Sequence, residues 1–287
     1  MKVSGALQKG QPTLSFEFFP PKTAEQEARL FEVIAQLKDF NPDYVSVTYG
    51  ALGTSAGQSF RWVKDIKDKF GIAPVAHLTC VASSREDINT KVKELVNIGV
   101  ENILALRGDI PEGLVEKASP ADGCRHACEL VAFIKELYPF ICLGVAGYPE
   151  KHPEAPNLES DIKYLKRKVE AGADYIVTQL FFDNGVYFDF VRKCRDAGIC
   201  VPIIPGIMPI TNYKLLRKMT SICGASIPKE LLTQLEKNQD DNEAIKKIGI
   251  EHAVRQCQEL QDAKVPGLHF FVMNQAGPIS EILKQLS

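Results

Sequence analysis

The sequence predicts a single eight-stranded β/α barrel. Its length of 287 residues suits a barrel of roughly 250 residues. Short β-rich apolar runs also alternate with helical segments, as parallel strands alternate with crossover helices. An open doubly wound sheet is the rival fold, but its Gly-x-Gly-x-x-Gly fingerprint after a strand is absent from the sequence. We therefore expect residues 1–287 to form one domain.

Eight runs are predicted to be strands, and eight is the number that closes an α/β fold of the (β/α)8 TIM-barrel type. In chain order they are Thr13 to Phe19, Tyr44 to Tyr49, Pro74 to Thr79, Asn102 to Arg107, Phe140 to Gly147, Tyr175 to Phe181, Pro202 to Met208 and Leu268 to Met273. The chain therefore offers one strand for each position in the barrel.

The segments between the strands are predicted to be helices because their apolar residues recur with helical spacing, as at positions 30, 33, 34 and 37. Two of these helices have marked starts, since Thr23 with Gln26 and Ser84 with Asp87 have the spacing of capping pairs. The seventh connection, about residues 211–265, is much longer than the others, and we expect two or three helices in it. Its polar stretch from 237 to 243 is predicted to be a surface turn.

The charges are nearly balanced, with 34 basic and 36 acidic residues and a formal net charge of -2. No basic run could neutralise a nucleic-acid backbone, so we expect no nucleic-acid partner. Residues 1–12 contain no apolar h-region, and nowhere do about 18 apolar residues follow one another, so we expect no membrane insertion. These features predict a cytoplasmic protein.

The eight cysteines are scattered over the chain, which fits reduced thiols better than a disulfide framework. Cys124 and Cys128 would lie on one helix face and could share a metal. A structural zinc site needs four ligands, however, and no second pair lies nearby in sequence. We therefore predict no metal site.

Polar residues follow the predicted strands at the point where each strand ends. They occur in seven of the eight units and are Glu17, Thr48, His77, Arg107 with Asp109, Tyr148, Gln179 and Asn274. In a β/α barrel the active site lies at the carboxyl ends of the strands. The sequence therefore predicts an active site at this face.

Glu17 is flanked by aromatic residues and prolines, on a strand whose alternate residues enter the barrel. Burial disfavours the carboxylate anion and raises the pKa of the carboxyl, which would leave an acid able to donate a proton near neutral pH. The alternative is a glutamate held in a structural salt bridge.

Three further strand ends carry candidate ligand-binding groups. In Arg107-Gly108-Asp109 the glycine permits close approach of the backbone to a flat or bulky ligand, although a structural Arg–Asp pair is the alternative. His77 is either a ligand-binding group or a satisfied polar group inside a strand. Gln179 offers a donor and an acceptor to the edge of a heterocycle such as a pterin, unless it bonds the neighbouring backbone.

A basic triplet at positions 166–168 lies on the helix that follows the fifth strand. Arg167 and Lys168 could hold a pyrophosphate, while Tyr148 stacks on a ring and Asp161 accepts hydrogen bonds from ribose hydroxyls. The alternative is a solvated helix face.

Segments spread over nearly the whole chain, in order, resemble the methylenetetrahydrofolate reductase family in its short bacterial form. They are Phe16-Glu-Phe-Phe-Pro-Pro-Lys22, Val45-Ser-Val-Thr-Tyr-Gly50, His77-Leu-Thr-Cys80, Leu104-Ala-Leu-Arg-Gly-Asp109, Val145-Ala-Gly-Tyr-Pro-Glu-Lys-His-Pro-Glu154, Leu165-Lys-Arg-Lys-Val-Glu-Ala-Gly-Ala-Asp174, Thr178-Gln179 with Phe181-Phe-Asp183, and Ile204-Pro-Gly-Ile-Met-Pro209. Each segment alone is weak evidence, but their order and spacing together are specific.

The resemblance implies a barrel that holds FAD at its carboxyl face. NADH or NADPH would reduce the flavin, which would then reduce 5,10-methylenetetrahydrofolate to 5-methyltetrahydrofolate. By the family pattern Glu17 is the general acid that assists opening of the five-membered ring. Asp109 would lie near the flavin pyrimidine and the pterin, Gln179 would hold the pterin, and Tyr213 would lie near nicotinamide and folate.

The resemblance also assigns the FAD-binding positions. These are Thr48, His77, Arg107, Gly108, Asp109, Ala146, Tyr148, His152, Asp161, Arg167 and Lys168. Gln275 departs from the family pattern, because it replaces an arginine that reaches toward the folate tail in some relatives. Arginine can pair a carboxylate bidentately and glutamine cannot, so the affinity for the folate glutamate is in question.

Other functions remain open. The same flavin barrel could be a subunit of a redox complex, with electrons supplied by a partner protein instead of NAD(P)H. A barrel lyase or aldolase would need a glycine-rich phosphate-binding loop after the seventh and eighth strands, and usually a reactive lysine in a strand. The loop after the seventh strand is rich in proline instead, and none of the eight predicted strands contains a lysine. A non-catalytic folate-binding protein would not need a buried proton donor. We expect a homo-oligomer or a hetero-complex.

Overall fold

The computed structural model describes residues 1–48, 56–109 and 120–286. Within these ranges lie eight strands: β1 (Thr13–Phe18), β2 (Tyr44–Val47), β3 (Ala73–Thr79), β4 (Asn102–Leu106), β5 (Cys142–Gly147), β6 (Tyr175–Leu180), β7 (Ile203–Ile207) and β8 (Gly267–Phe271). Each strand pairs in parallel with the next, and β8 pairs with β1, so that the barrel is closed. The predicted TIM-barrel fold is therefore confirmed.

Helices surround the barrel. Those within the described ranges are α1 (Val3–Leu7), α2 (Ala24–Lys38), α3 (Ala56–Phe70), α4 (Arg85–Asn97), α5 (Ala127–Leu137), α6 (Leu158–Glu170), α7 (Asn184–Asp196), α8 (Tyr213–Cys223), α9 (Lys229–Lys237), α10 (Asn242–Asp262) and α11 (Ala276–Leu286). The connection from β7 to β8, described throughout, contains α8, α9 and α10. None of the helices in the described ranges combines the length and apolar character needed to cross a membrane.

The predicted strands and helix starts agree closely with the structure. Among the described residues, two strands differ from their predicted bounds by two residues at one end: β5 begins at Cys142, because Phe140 is 51% exposed and precedes the sheet, and β8 ends at Phe271 instead of Met273. Tyr49, the predicted end of the second strand, lies outside the described residues. The Thr23 side chain accepts a hydrogen bond from the Gln26 backbone N–H, and Ser84 forms a reciprocal capping box at the start of α4.

Helix α1 lies against the amino-terminal end of the barrel and was not predicted, because five residues are too few to show helical periodicity. Val3 is fully buried in a cluster that includes Tyr44 and Tyr175. The Asn102 side chain ties this helix to β4, because its Oδ1 accepts from the Val3 N–H at 2.8 Å and its Nδ2 donates to the Met1 carbonyl at 3.0 Å. Side chains and α1 thus fill the barrel at the end opposite the strand carboxyl termini.

At the carboxyl end of the barrel, side-chain hydrogen bonds join the segments that follow β1 and β8. Asn274 accepts from the Phe19 N–H at 3.0 Å and donates to the Phe19 carbonyl at 3.1 Å. Its own backbone is left-handed, with φ 54. Asn274 was predicted as a polar residue at a strand end, and in the structure its side chain bonds the backbone of the segment after β1.

A second apolar cluster, separate from the main core, lies where α8, α9 and α10 meet the barrel. Its buried members are Leu180, Phe182, Met208, Ile210, Leu216, Cys223, Leu231, Leu235 and Ile245. Leu180 and Phe182 flank the carboxyl end of β6, and Met208 and Ile210 follow β7. The long seventh connection therefore packs beside the face where the sequence predicts the active site.

Candidate active site

Glu17 lies on β1 and is the centre of a polar cluster inside the barrel. Ser15 and Glu17 are two residues apart, so both side chains lie on the same face of the strand. The Glu17 carboxylate accepts from Thr48 Oγ1 at 3.0 Å and from Ser46 Oγ at 3.4 Å, and its side chain is 14% exposed. The carboxylate is thus held by two hydroxyls from β2 and its end, while one side stays open.

Two imidazoles complete the cluster. His77 Nε2 lies 3.5 Å, and His269 Nε2 3.2 Å, from Glu17 Oε2. Both histidines are buried, with 4% and 2% of their surface exposed. His269 Nδ1 lies 2.9 Å from Ser15 Oγ. His77 was predicted from the sequence, whereas His269 and Ser15 were not. Both could have been found from the alternation of side chains along a strand, since alternate residues point into the barrel.

The expected direction of the Glu17 pKa is wrong for this structure. Burial does act to raise the pKa, as predicted from the sequence. The charge of a protonated His77, the hydrogen bond and charge of His269 and the hydrogen bond from Thr48 act against it, and the pKa falls to about 2. These three partners lie in or directly after strands that are far from Glu17 in the sequence, so their effect was not visible there. Glu17 is therefore a carboxylate at neutral pH in the protein without ligands.

His77 has an unusual environment. Burial lowers its pKa, with the charge of Glu17 acting in the opposite direction, so the ring is neutral near pH 7. Neither ring nitrogen has a hydrogen-bond partner within the described part of the chain, and the 3.5 Å contact with Glu17 lacks hydrogen-bond geometry. Buried polar groups are nearly always hydrogen-bonded in folded proteins. Of the predicted residues, His77 is thus the one whose surroundings most clearly call for a ligand atom.

Arg107 follows β4, and its guanidinium group is bound by a residue from the loop after β5. Nη1 and Nη2 donate to the two carboxylate oxygens of Glu154 at 2.6 and 2.7 Å, and Nε donates to the Gly108 carbonyl at 3.2 Å. Gly108 has φ +88, where a side chain would be strained. Asp109 is exposed. The alternative considered from the sequence, a structural Arg107–Asp109 pair, is not formed between these two described residues, because the guanidinium binds Glu154 instead.

The loop after β5 brings three predicted residues together. The rings of Tyr148 and His152 meet edge to face with centroids 4.7 Å apart. The backbone N–H of His152 donates to Asp161 Oδ2 at 2.9 Å, so Asp161 fixes the loop to α6. Burial lowers the pKa of His152, with the charges of Glu154 and Arg107 acting in opposite directions. The loop is therefore internally bonded around a neutral imidazole.

The basic triplet on α6 divides between two environments. Lys168 is partly buried and donates to the Ala146 carbonyl at 2.9 Å, and burial lowers its pKa. Arg167 is exposed and lies over the Tyr164 ring, 5.2 Å from its centroid. Tyr164 also contacts His126, with ring centroids 6.5 Å apart. Sequence reasoning did not single out these two aromatic residues, because their proximity depends on the packing of α5 beside α6.

Gln179 and Tyr213 lie on the side of the seventh connection. Gln179 is half-buried, and its Oε1 accepts from the Leu180 N–H at 2.9 Å, which is the backbone bond weighed as the alternative to ligand binding. The β6–β7 ladder shifts register between Val177 and Leu180, and such irregularities redirect side chains near binding sites. Tyr213 begins α8 and packs against the second apolar cluster.

The donors present fit a flavin dinucleotide. Arg107, His152 and Lys168 lie within electrostatic reach of one another at the ends of β4 and β5 and on α6, which suits a pyrophosphate. His77 has unsatisfied ring nitrogens deeper in the barrel. Among the described residues, no group of three or more His, Cys, Asp or Glu side chains could hold a metal ion, and Cys124 and Cys128 form no such group.

Comparison with known proteins finds similar sequences over nearly the whole chain. A family model described as Methylenetetrahydrofolate reductase matches residues 2–287. The 5,10-methylenetetrahydrofolate reductases of Salmonella typhimurium and Escherichia coli are each 38% identical over 276 residues, which cover 96% of this chain and 91% of theirs. Methylenetetrahydrofolate reductase (NADH) 1 of Arabidopsis thaliana is 38% identical over 283 residues, 95% of this chain. The chain spans about half the length of the plant relatives it matches.

Solved structures with the same fold are much less similar in sequence. An uncharacterized protein from Clostridium thermocellum, which binds two copies of 5-methyl-5,6,7,8-tetrahydrofolic acid, has a TM-score of 0.65 at 14% identity, over 99% of this chain and 96% of that one. A phosphonopyruvate hydrolase has a TM-score of 0.52 at 13% identity, over 91% and 97%. These similarities show the barrel fold alone.

Proposed function

Because the chain belongs to the methylenetetrahydrofolate reductase family, we propose that it reduces 5,10-methylenetetrahydrofolate to 5-methyltetrahydrofolate, with FAD as its cofactor and Glu17 as general acid. The observation that carries the proposal is the cluster around Glu17, in which a carboxylate meets two imidazoles at the carboxyl end of the barrel. Proton donors beside a hydride-carrying cofactor are what this reduction requires.

We assign FAD to the face that holds the donors of β3, β4, β5 and α6. Reduced FAD, when bound, supplies the hydride. The binding residues in this proposal are Thr48, His77, Arg107, Gly108, Asp109, Ala146, Tyr148, His152, Asp161, Arg167 and Lys168. Arg107 and Lys168 provide positive charge for the pyrophosphate, and Tyr148 offers an aromatic ring. Asp161 keeps one carboxylate oxygen, Oδ1, for a ribose hydroxyl, since Oδ2 holds the loop.

Because its pKa is low, the Glu17 carboxyl is ionised at neutral pH, and a neighbouring group must supply the proton for ring opening. We assign this task to His269, because its Nε2 lies 3.2 Å from Glu17 Oε2. When His269 is protonated on both ring nitrogens, its Nδ1–H donates to the Ser15 hydroxyl oxygen and its Nε2–H faces the Glu17 carboxylate. In a doubly protonated ring this Nε2 proton moves to Glu17, which passes it to the nitrogen released as the five-membered ring opens. His269 is left neutral.

Three residues are proposed to bind folate beside Glu17. Asp109 is exposed at the end of β4, Gln179 lies at the register shift of β6, and Tyr213 begins α8. For Gln179 to bind a pterin, its Oε1 must exchange the Leu180 N–H for a ligand donor or its amide nitrogen must donate. Tyr213 packs against the second apolar cluster, which gives this side of the proposed folate site an apolar support.

The electron donor distinguishes the two versions of this function. The plant relatives are named for NADH, so we propose NADH or NADPH as donor and treat NADH as the first to test. Purified FAD-loaded protein is incubated with each nicotinamide and 5,10-methylenetetrahydrofolate, and 5-methyltetrahydrofolate is quantified by chromatography. Product with either nicotinamide supports the proposal. Product with neither, but with chemically reduced flavin, supports the alternative of a subunit supplied by a partner protein.

Residues 1–287 are proposed to act as one catalytic domain, with the α8–α10 connection as part of the site. A cytoplasmic location fits the eight free cysteines. Assembly as a homo-oligomer or a hetero-complex is also proposed, and sedimentation of the purified protein tests it.

A further inference from the structure

We propose that Glu154 is a positioning residue for the cofactor, which holds the Arg107 guanidinium through its carboxylate and the His152 ring through its backbone N–H. This inference rests on the proposed FAD site and adds to it a residue that the sequence did not single out as a binding group. Its basis is the set of bonds that converge on residue 154.

The first bonds fix the guanidinium of Arg107. An arginine has five N–H donors in one plane. Three are used, since Nε donates to the Gly108 carbonyl and Nη1 and Nη2 each donate to Glu154. Within the described part of the chain, two donors therefore remain, one on each Nη. Anchoring at two edges prevents rotation of the guanidinium plane, so these two donors keep a fixed direction.

The second bond fixes the imidazole of His152. The Glu154 backbone N–H donates to His152 Nδ1 at 3.2 Å. That nitrogen is therefore the unprotonated one in the neutral ring, and the hydrogen is on Nε2, where it can be donated to a ligand. The same residue thus sets the orientation of Arg107 and the tautomer of His152.

The loop that carries Glu154 is built to hold it in place. The Ala155 N–H donates to the His152 carbonyl at 2.9 Å, and Lys151 Nζ donates to the Ala155 carbonyl at 3.0 Å. Lys151 itself has φ 80, an uncommon conformation for a residue other than glycine. His152 is bonded to Asp161 on α6. The backbone of Glu154 is therefore fixed on both sides before any ligand binds.

The positioning role predicts that loss of the Glu154 carboxylate weakens FAD binding. Electrostatic repulsion predicts the reverse, because Glu154 is an anion near a proposed pyrophosphate site and its removal would then strengthen FAD binding. Its side chain is 62% exposed, however, and solvent and salt screen the charge of an exposed group. Orientation of Arg107 acts through direct contact and is not screened in this way. We therefore expect orientation to outweigh repulsion.

The test is a double-mutant cycle on FAD affinity. Apoprotein is prepared for wild type, Glu154→Gln, Arg107→Ala and the double variant, and the Kd for FAD is measured by quenching of flavin fluorescence. Glu154→Gln is expected to raise the Kd about tenfold, the effect of losing roughly 1.4 kcal/mol of binding free energy. In the Arg107→Ala background the same change is expected to have less than about a twofold effect, since there is no guanidinium left to orient.

Glu159→Gln is the matched control, because Glu159 is an exposed carboxylate five residues further along, in the first turn of α6, and it pairs only with Lys163 among the described residues. It is expected to leave the Kd unchanged. Melting temperatures of all variants separate misfolding from loss of affinity. Unchanged or tighter FAD binding by Glu154→Gln, or additive effects in the double variant, would overturn the proposal. Failure of the wild type itself to bind FAD would instead refute the proposed function.

Discussion

At the scale of single residues, Glu17 combines a buried position with a low pKa. Thr48, Ser46 and His269 stabilise its carboxylate, and its side chain remains 14% exposed toward the mouth of the barrel. A carboxylate of this kind can transfer a proton only if a neighbour supplies it. His269, with Ser15 behind it, is the neighbour with suitable geometry.

Replacement of Glu17 by glutamine is expected to slow the folate step and to spare the nicotinamide step. Loss of a general acid typically costs about 10²–10⁴-fold in rate. Flavin reduction by the nicotinamide needs no such acid and should proceed at a rate close to that of the wild type. Stopped-flow absorbance measures the two steps separately, and the exposed Glu236→Gln serves as control. Equal losses in both steps would show that Glu17 acts in cofactor binding and not as an acid.

The lowered pKa of Glu17 also predicts how stability depends on pH. A carboxyl whose pKa falls from 4.5 to about 2 on folding contributes stability above pH 4.5 that is lost as the pH falls toward 2. The free energy of unfolding of the wild type, relative to Glu17→Gln, should therefore decrease by roughly 1–3 kcal/mol across this window. Urea unfolding between pH 6 and pH 3 measures the upper part of the change. A difference that grows on acidification would mean that burial dominates the pKa.

Changes at His269 are expected to act through Glu17. His269→Gln removes the imidazole nitrogen that lies 3.2 Å from the Glu17 carboxylate, and the folate step should slow by about tenfold or more. Ser15→Ala removes only the partner of Nδ1 and should have a smaller effect in the same direction. The rate of flavin reoxidation by folate, followed by stopped-flow absorbance at pH 7, is the measurement. A His269→Gln rate that matches the wild type would exclude this proton store.

Several residues of this site could be predicted from the sequence, but the contacts between them could not. Glu17, His77 and Arg107 were recognisable because they follow strands, and strand ends share one face of a barrel. The ion pair of Arg107 with Glu154 joins residues 47 positions apart, and the His269–Glu17 contact joins residues 252 apart. Neither partner can be chosen from spacing along the chain. The pKa of Glu17, which depends on such partners, was predicted in the wrong direction for the same reason.

At the scale of elements, α1 shows how a short segment can complete a barrel. Its tie to β4 is Asn102, which is 1% exposed and bonds the Val3 N–H, the Met1 carbonyl and the Pro74 carbonyl. Strands and long amphipathic helices could be predicted from periodicity, whereas α1 has too few residues to show any. Its position depends on buried contacts with the barrel.

Substitution of Asn102 by alanine is expected to destabilise the protein. It removes the buried hydrogen bonds to the Val3 N–H and the Pro74 carbonyl, at a cost of about 1–3 kcal/mol for each group that water cannot reach. Asn238→Ala is the control, since within the described part of the chain its side chain makes only a local bond to the Gln234 carbonyl at the surface. Urea unfolding followed by circular dichroism measures both. Equal stability of the two variants would show that α1 does not depend on its tie to β4.

At the scale of the whole molecule, barrel closure brings the ends of β1, β3, β4, β5 and β8 to one rim. Fold class could be predicted because eight apolar runs and amphipathic segments are properties of the sequence itself. The contents of the site depend on the closed ring, in which β8 lies beside β1 although their residues are about 250 positions apart. The proposed cofactor would bridge several of these strands and so add cohesion to the rim.

Binding of FAD is therefore expected to stabilise the entire barrel. A ligand at 100 times its Kd adds about 2.7 kcal/mol to the free energy of unfolding, which for a protein of this size corresponds to roughly 5 °C or more in Tm. Differential scanning fluorimetry with and without FAD measures the shift. Lys168→Ala should reduce it by weakening FAD binding, while Glu17→Gln should retain it. No shift in the wild type would contradict the assignment of the flavin site.

The most direct test of the central claim is a single turnover of the reduced flavin. FAD-loaded protein is chemically reduced without oxygen and mixed with 5,10-methylenetetrahydrofolate while flavin absorbance is followed. The account predicts that the spectrum of oxidised flavin returns and that 5-methyltetrahydrofolate forms in an amount equal to the flavin. Flavin that stays reduced in the presence of saturating folate, with no methyl product, would contradict it.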